Sequence, residues 1–71
     1  MKNVYLKCRY TDKRESIDAM EHVLYRQGIK DFYYDQTSKE IKITYDEKKV
    51  SIKQMLAKLR EIGYHVEVMN K

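Results

Sequence analysis

Gly28 and Gly63 are the only glycines in 71 residues, and proline is absent, so the chain has almost nothing with which to break an element or build a flexible linker. Isolated glycines in such a chain are expected just past helix ends, where a left-handed residue closes the last turn. No linker or low-complexity stretch is visible on either side of them. A chain of this length makes one domain, residues 1–71, because a second core does not fit. Leu, Ile, Val and Phe together number sixteen, which leaves little material for a deep substrate pocket. Function is therefore expected on the surface.

The segments between these punctuation points carry clear periods. Val4, Leu6 and Cys8 alternate with Tyr5, Lys7 and Arg9, the pattern of a strand with one buried face. Asp12 with Glu15 three positions later reads as a capping box. Ile17, Met20 and Leu24, flanked by Ala19 and Val23, then repeat at helical spacing up to Gly28, predicting a helix over about residues 13 to 27. Residues 29–35 are extended in preference, 36–39 form a polar turn, and Ile41, Ile43 and Tyr45 alternate with polar neighbours, which together make a hairpin. Ser51 and Gln54 form a second capping box, with Val50 and Met55 at the two positions of a hydrophobic staple. Ile52, Met55, Leu56, Leu59 and Ile62 form the apolar stripe of a second helix that ends at Gly63. Tyr64, Val66 and Val68 alternate with His65 and Glu67 as a last strand. The order βαββαβ predicts an α+β, ferredoxin-like sandwich: a four-stranded antiparallel sheet with two helices on one face.

Fifteen Lys and Arg against eleven Asp and Glu leave a net charge of +4, which weakly favours acidic partners, over a surface of mixed sign. A single cysteine excludes an intramolecular disulfide, a CxxC redox pair and a Cys₂His₂ or Cys₄ zinc site within one chain. It fits a reducing cytoplasm. No apolar run approaches the ~20 residues of a membrane span, and the first residues turn charged again at Lys7, too early for a signal peptide. A cytoplasmic protein without membrane insertion is expected. Catalysis is not: the chain lacks a glycine-rich phosphate loop and a nucleophile with an adjacent base, and its two histidines are far apart in sequence.

The fold alone would leave RNA binding, metabolite sensing and metal carriage open. From Gly28 to Val68 the residues resemble the heavy-metal-associated domain of bacterial copper chaperones and copper-exporting ATPases. The matching elements are Gly28-Ile29, the alternating hairpin, Ile43-Thr44-Tyr45-Asp46, Val50-Ser51, Met55-Leu56 and Ile62-Gly63-Tyr64, without a gap. Ser16-Ile17-Asp18-Ala19-Met20-Glu21 is similar to the family segment that runs from its second cysteine into the first helix. That family holds copper(I) on a Met-x-Cys-x-x-Cys loop, where two thiolates make a soft site for a soft ion. Here the loop reads Tyr10-Thr11-Asp12-Lys13-Arg14-Glu15-Ser16. Counting back from Gly28 sets Asp12 and Glu15 at the cysteine positions, whereas matching the helix pattern sets Lys13 and Ser16 there. The second register is preferred because it keeps Leu6 and Cys8 on the buried face of the first strand; neither supplies a thiol.

Three readings follow. In the first, the chain is a copper-chaperone-like protein of metal homeostasis that has lost its thiol pair. It docks, independently of metal, onto a heavy-metal-associated domain of a metal-transporting ATPase or related protein. Its docking surface would be Lys13 and Arg14 with Tyr64 and His65 beside them, where the resemblance places the family's recognition loop. In the second, the chain carries a metal on other ligands: Asp12, Glu15 and His65 for zinc or nickel, or Cys8 shared across a homodimer for copper. Opposed to these ligand roles, Cys8 by its alternation is a small core residue, and the two acids are already accounted for as a helix cap. In the third, seven tyrosines and eleven lysines serve nucleic acid, although the third strand lacks the Gly and aromatic pattern of RNA-binding domains with this topology. Monomer and weak homodimer are both compatible with the sequence.

Overall fold

The computed structural model describes residues 1–8 and 14–69; the side chains of Cys8, Arg14, Glu15 and Ser16 lie outside that description. The elements run β1 (Lys2–Cys8), α1 (Arg14–Gln27), β2 (Ile29–Asp35), β3 (Glu40–Tyr45), α2 (Ile52–Glu61) and β4 (Val66–Met69). The strands form one antiparallel sheet in the order β2-β3-β1-β4, the expected ferredoxin-like arrangement.

Strand register explains which side chains meet the helices. Phe32, Ile43 and Val4 share one cross-strand row, and Tyr34, Ile41 and Leu6 the next but one, so alternation aligns the apolar residues of three strands on one face. Val4, Leu6, Ile41, Ile43 and Tyr45 are buried there against Ile17, Met20 and Leu24 of α1 and Met55 and Leu59 of α2. The alternate rows, Tyr33-Lys42-Tyr5 and Asp35-Glu40-Lys7, fall on the other face, where Tyr33, Lys42 and Lys7 are exposed and Tyr5, Asp35 and Glu40 half-buried.

Local chemistry sets the ends of these elements. Both halves of the second capping box are present: Gln54 N–H donates to Ser51 Oγ at 3.1 Å and Ser51 N–H to Gln54 Oε1 at 2.9 Å. Val50 and Met55, the staple pair, are both buried. Replacing Ser51 by Ala should therefore lower stability by about 1 kcal/mol, read as a shifted urea midpoint with unchanged m-value; no shift would mean the cap contributes nothing. At the other end, Tyr64 N–H donates to Leu59 O and Gly63 N–H to Arg60 O, the paired bonds of a Schellman motif. Gly63 sits at φ +97 to make that reversal, and Gly28 at φ +111 does the same for α1, donating to Leu24 O and Tyr25 O. Both glycines thus close helices, as expected.

The hairpin turn is held by Asp35, whose Oδ1 accepts the amide of Thr37 at 2.9 Å and whose carbonyl accepts that of Lys39 at 2.8 Å, with Lys39 left-handed at φ 63. Two apolar residues depart from the pattern reading. Ile62 is 38% exposed because the chain leaves the helix axis there to enter the glycine turn. Val68 is 48% exposed although it pairs with buried Leu6, because β4 is a four-residue edge strand at the margin of the helical layer.

Candidate functional site

Antiparallel pairing brings the end of β1, the start of α1, the end of α2 and the start of β4 to one end of the molecule. Cys8, the last residue of β1, pairs with Val66, so Tyr64 and His65 lie immediately beside the point where the chain leaves β1 for loop one. The Schellman turn at Gly63 turns the chain back so that Tyr64 packs, half-buried, against the core. Between the last two turns of α2 and this segment lies a shallow depression lined by Leu56, Arg60, Tyr64, His65 and Val66. Leu56 is expected from the sequence as a core residue of the second helix and not as a site residue, and Arg60 carries no expectation. Their signal is the spacing of four that stacks Leu56, Arg60 and, past the glycine turn, Tyr64 along one side of the helix.

Of the residues proposed for docking, Tyr64 and His65 line this depression and Arg14 opens α1 at the same end; Lys13 lies outside the described residues. Of those proposed for metal, Cys8 closes β1, Glu15 is the second residue of α1, and Asp12 lies outside the described residues. Among the described residues no group of three or more His, Cys, Asp and Glu is placed to hold a metal ion. His22 is exposed on α1, and Met20 and Met55 are fully buried, so both methionines are core residues as expected.

Charge at this end is balanced among the described residues. Lys7 sits between Glu40 of β3 and Glu67 of β4 in the strand register, and Lys58 reaches Glu61 at 3.6 Å on the last turn of α2. The latter pair is exposed and contributes little to stability. The depression therefore presents aromatic, imidazole and guanidinium groups on a small scale. It suits surface recognition better than enclosure of a substrate.

No family model matches the chain, and no curated protein matches it. Solved structures do. Oxidized MerP from Ralstonia metallidurans CH34 superposes with a TM-score of 0.85 at 14% identity, covering 97% of each chain. A putative copper-ion-binding protein from Bacillus anthracis gives a TM-score of 0.83 at 18% identity, over 93% of this chain and 94% of that one. A chain of the Atx1–Cu(I)–Ccc2a complex gives 0.84 at 15% identity, over 99% and 97%. Agreement this close over nearly the whole chain assigns the fold to that of heavy-metal-associated, copper-binding domains. The donor set does not follow the fold. Cys8 is the sole thiol of the sequence, so a bis-thiolate copper(I) site within one chain does not fit these residues.

Proposed function

We propose that this chain is a cytoplasmic docking or regulatory partner in heavy-metal homeostasis, a binding protein and not an enzyme. It would meet a heavy-metal-associated domain of a metal-transporting ATPase or related protein without carrying a copper(I) ion itself. The observation that carries this reading is the combination of a full-length copper-domain fold with a single cysteine. One chain with this fold comes from a complex of Atx1, Cu(I) and Ccc2a, which supports a second protein as partner. The surface would be loop one with the start of α1, Lys13 and Arg14, beside Tyr64 and His65. Complementary charge can orient such an encounter with no ion bound.

Two measurements test this. The isolated monomer, titrated with copper(I), zinc and nickel against a strong chelator, should retain none at one equivalent; stoichiometric retention by the monomer would replace the docking reading with that of a metal carrier. Lys13→Glu with Arg14→Glu should slow association with an acidic-faced heavy-metal-associated domain by about tenfold at low salt, with a smaller change in dissociation. The effect should fade as the Debye length falls from about 10 Å at 0.1 M to about 3 Å at 1 M salt. Glutamate in the first turn of α1 is favourable to the helix dipole, so the variant should stay folded. An unchanged on-rate removes this surface from the proposal.

A further inference from the structure

Among the described residues, positive charge collects at the end away from loop one. There α1 finishes, β1 and β2 begin, and the 46–51 connection leads into α2. These pieces touch: Gln27 Nε2 donates to Gln54 O at 3.3 Å, a Cβ on Gly28 would lie 3.9 Å from that of Lys49, and Lys2 Nζ meets Glu47 Oε2 at 3.0 Å. Six cations, Lys2, Arg26, Lys30, Lys48, Lys49 and Lys53, stand here with three carboxylates, Asp31, Asp46 and Glu47. The carboxylates are engaged. Glu47 holds Lys2, Asp46 Oδ1 accepts the amide of Lys48 at 3.0 Å, and Asp31 Oδ1 accepts from the amide of Phe32 at 2.9 Å and from the Tyr25 hydroxyl at 3.4 Å. The remaining five cations are exposed and have no carboxylate partner among the described residues. No acidic residue offsets them in the first turn of α2, whose dipole adds positive potential at the same place.

The character of this pole decides between anionic partners. Four of the five unpaired cations are lysines, which act as mobile point charges and lack the planar fork that reads an individual carboxylate or phosphate. The capping box occupies the amides of Ser51 and Gln54, two of the four donors that the start of α2 would otherwise turn toward a single anion. The neighbouring aromatic side chain, Tyr25, has its hydroxyl directed to Asp31. In contrast, Met1 is 73% exposed next to Lys2 at the start of β1 and gives the pole an apolar side chain that can enter an interface. We propose that this pole is a docking surface for an anionic lipid bilayer. It would seat the domain peripherally, through diffuse charge and Met1, with the loop-one end left clear.

The test uses the whole chain with vesicles of phosphatidylcholine, with and without phosphatidylserine. Sedimentation should show binding only to the phosphatidylserine vesicles, lost as salt rises to 1 M, where the Debye length is about 3 Å. Each basic residue near such a surface contributes on the order of fivefold in partitioning. The triple change Lys48→Gln, Lys49→Gln, Lys53→Gln should then weaken binding roughly 100-fold. A control with the same loss of charge elsewhere, Lys42→Gln, Lys58→Gln, Arg60→Gln, should have a much smaller effect. Equal losses in the two variants would reduce the effect to net charge and overturn the proposal. So would equal binding to both vesicle types or to neither, and tighter retention on a mixed-sequence DNA duplex at the same salt would give the pole to nucleic acid. Amine acylation of the unmodified protein provides a readout that needs no variant. Phosphatidylserine vesicles should protect Lys48, Lys49 and Lys53 while leaving Lys42 and Lys58 reactive, and uniform labelling would contradict the orientation.

Discussion

Leu59→Ala should cost the domain about 2 to 5 kcal/mol. Leu59 has no solvent exposure and belongs with Met55, Met20, Leu24 and Ile43, also fully buried, to the core beneath the sheet. Truncation removes its transfer free energy and leaves a cavity that close-packed neighbours fill only in part. A single domain of this size has on the order of 4 to 10 kcal/mol in hand, so the variant should lose a large share of its stability. Each kcal/mol moves the melting temperature of a small domain by about 4–8 °C, which predicts a fall of roughly 8 to 40 °C. Leu56 belongs to the same apolar stripe by spacing but is only partly buried, at the wall of the depression beside Tyr64. Its truncation should cost about 1 to 2 kcal/mol, in proportion to the smaller area withdrawn from water. Urea melts of the two variants therefore test the rotation of α2. Equal losses, or a loss at Leu59 below ~0.5 kcal/mol, would mean that the helix presents another face to the sheet.

The two leucines illustrate what local pattern can and cannot carry. Helical spacing identifies both as inward-leaning, and nothing within ten residues distinguishes the one under the sheet from the one at its margin. The same applies to Val68: strict alternation puts it on the apolar face of β4, where it is indeed in register with Leu6, yet the edge of a sheet has no further strand and little helix to cover it. Features built from contacts three to six residues long were readable. The Ser51-Gln54 box, the Asp35 turn and the closures at Gly28 and Gly63 each need only the residues that form them. That Lys39 is the left-handed residue of the hairpin turn was not readable, since a polar stretch of four offers several positions for it.

The candidate site was legible to a similar degree. Tyr64 and His65 are suggested by the family resemblance of the segment after Gly63, and the topology brings them beside the end of β1. Leu56 and Arg60, which complete the depression, became visible only once the position of β4 against α2 was known. The distribution of charge was the least legible property of all. A net charge of +4 says nothing about where it lies, and the basic pole assembles from five segments separated along the chain. Steering by Lys13 and Arg14 must accordingly act beside described residues that are close to neutral, with Lys7 set between Glu40 and Glu67. That confines the predicted effect of reversing them to the first encounter.

A thiol pair placed in loop one should confer copper(I) binding. Lys13→Cys with Ser16→Cys should convert the chain from one that releases copper(I) to a chelator into one that retains it at one equivalent. The scaffold supports this expectation, because backbones matching copper-binding domains at TM-scores of 0.83 and 0.84 already carry the strand and helix between which such a loop runs. What the natural sequence lacks is donor chemistry, since Lys13 and Ser16 offer an ammonium and a hydroxyl where a soft ion requires thiolates. The alternative register forecasts the same gain for Asp12→Cys with Glu15→Cys instead. Each pair keeps the spacing of three but is shifted by one residue, so the two pairs place their thiols at different positions along the chain and are not equivalent. Competition against a copper(I) chelator on both double variants therefore reads out the register, and the gain should disappear when either cysteine of the active pair is returned to serine. Cys8 should be replaced by Ser in a parallel set, so that a thiol at the end of β1 is not mistaken for the second ligand. Retention by neither pair would mean that supplying two thiols is not enough to make loop one a copper(I) site on this fold.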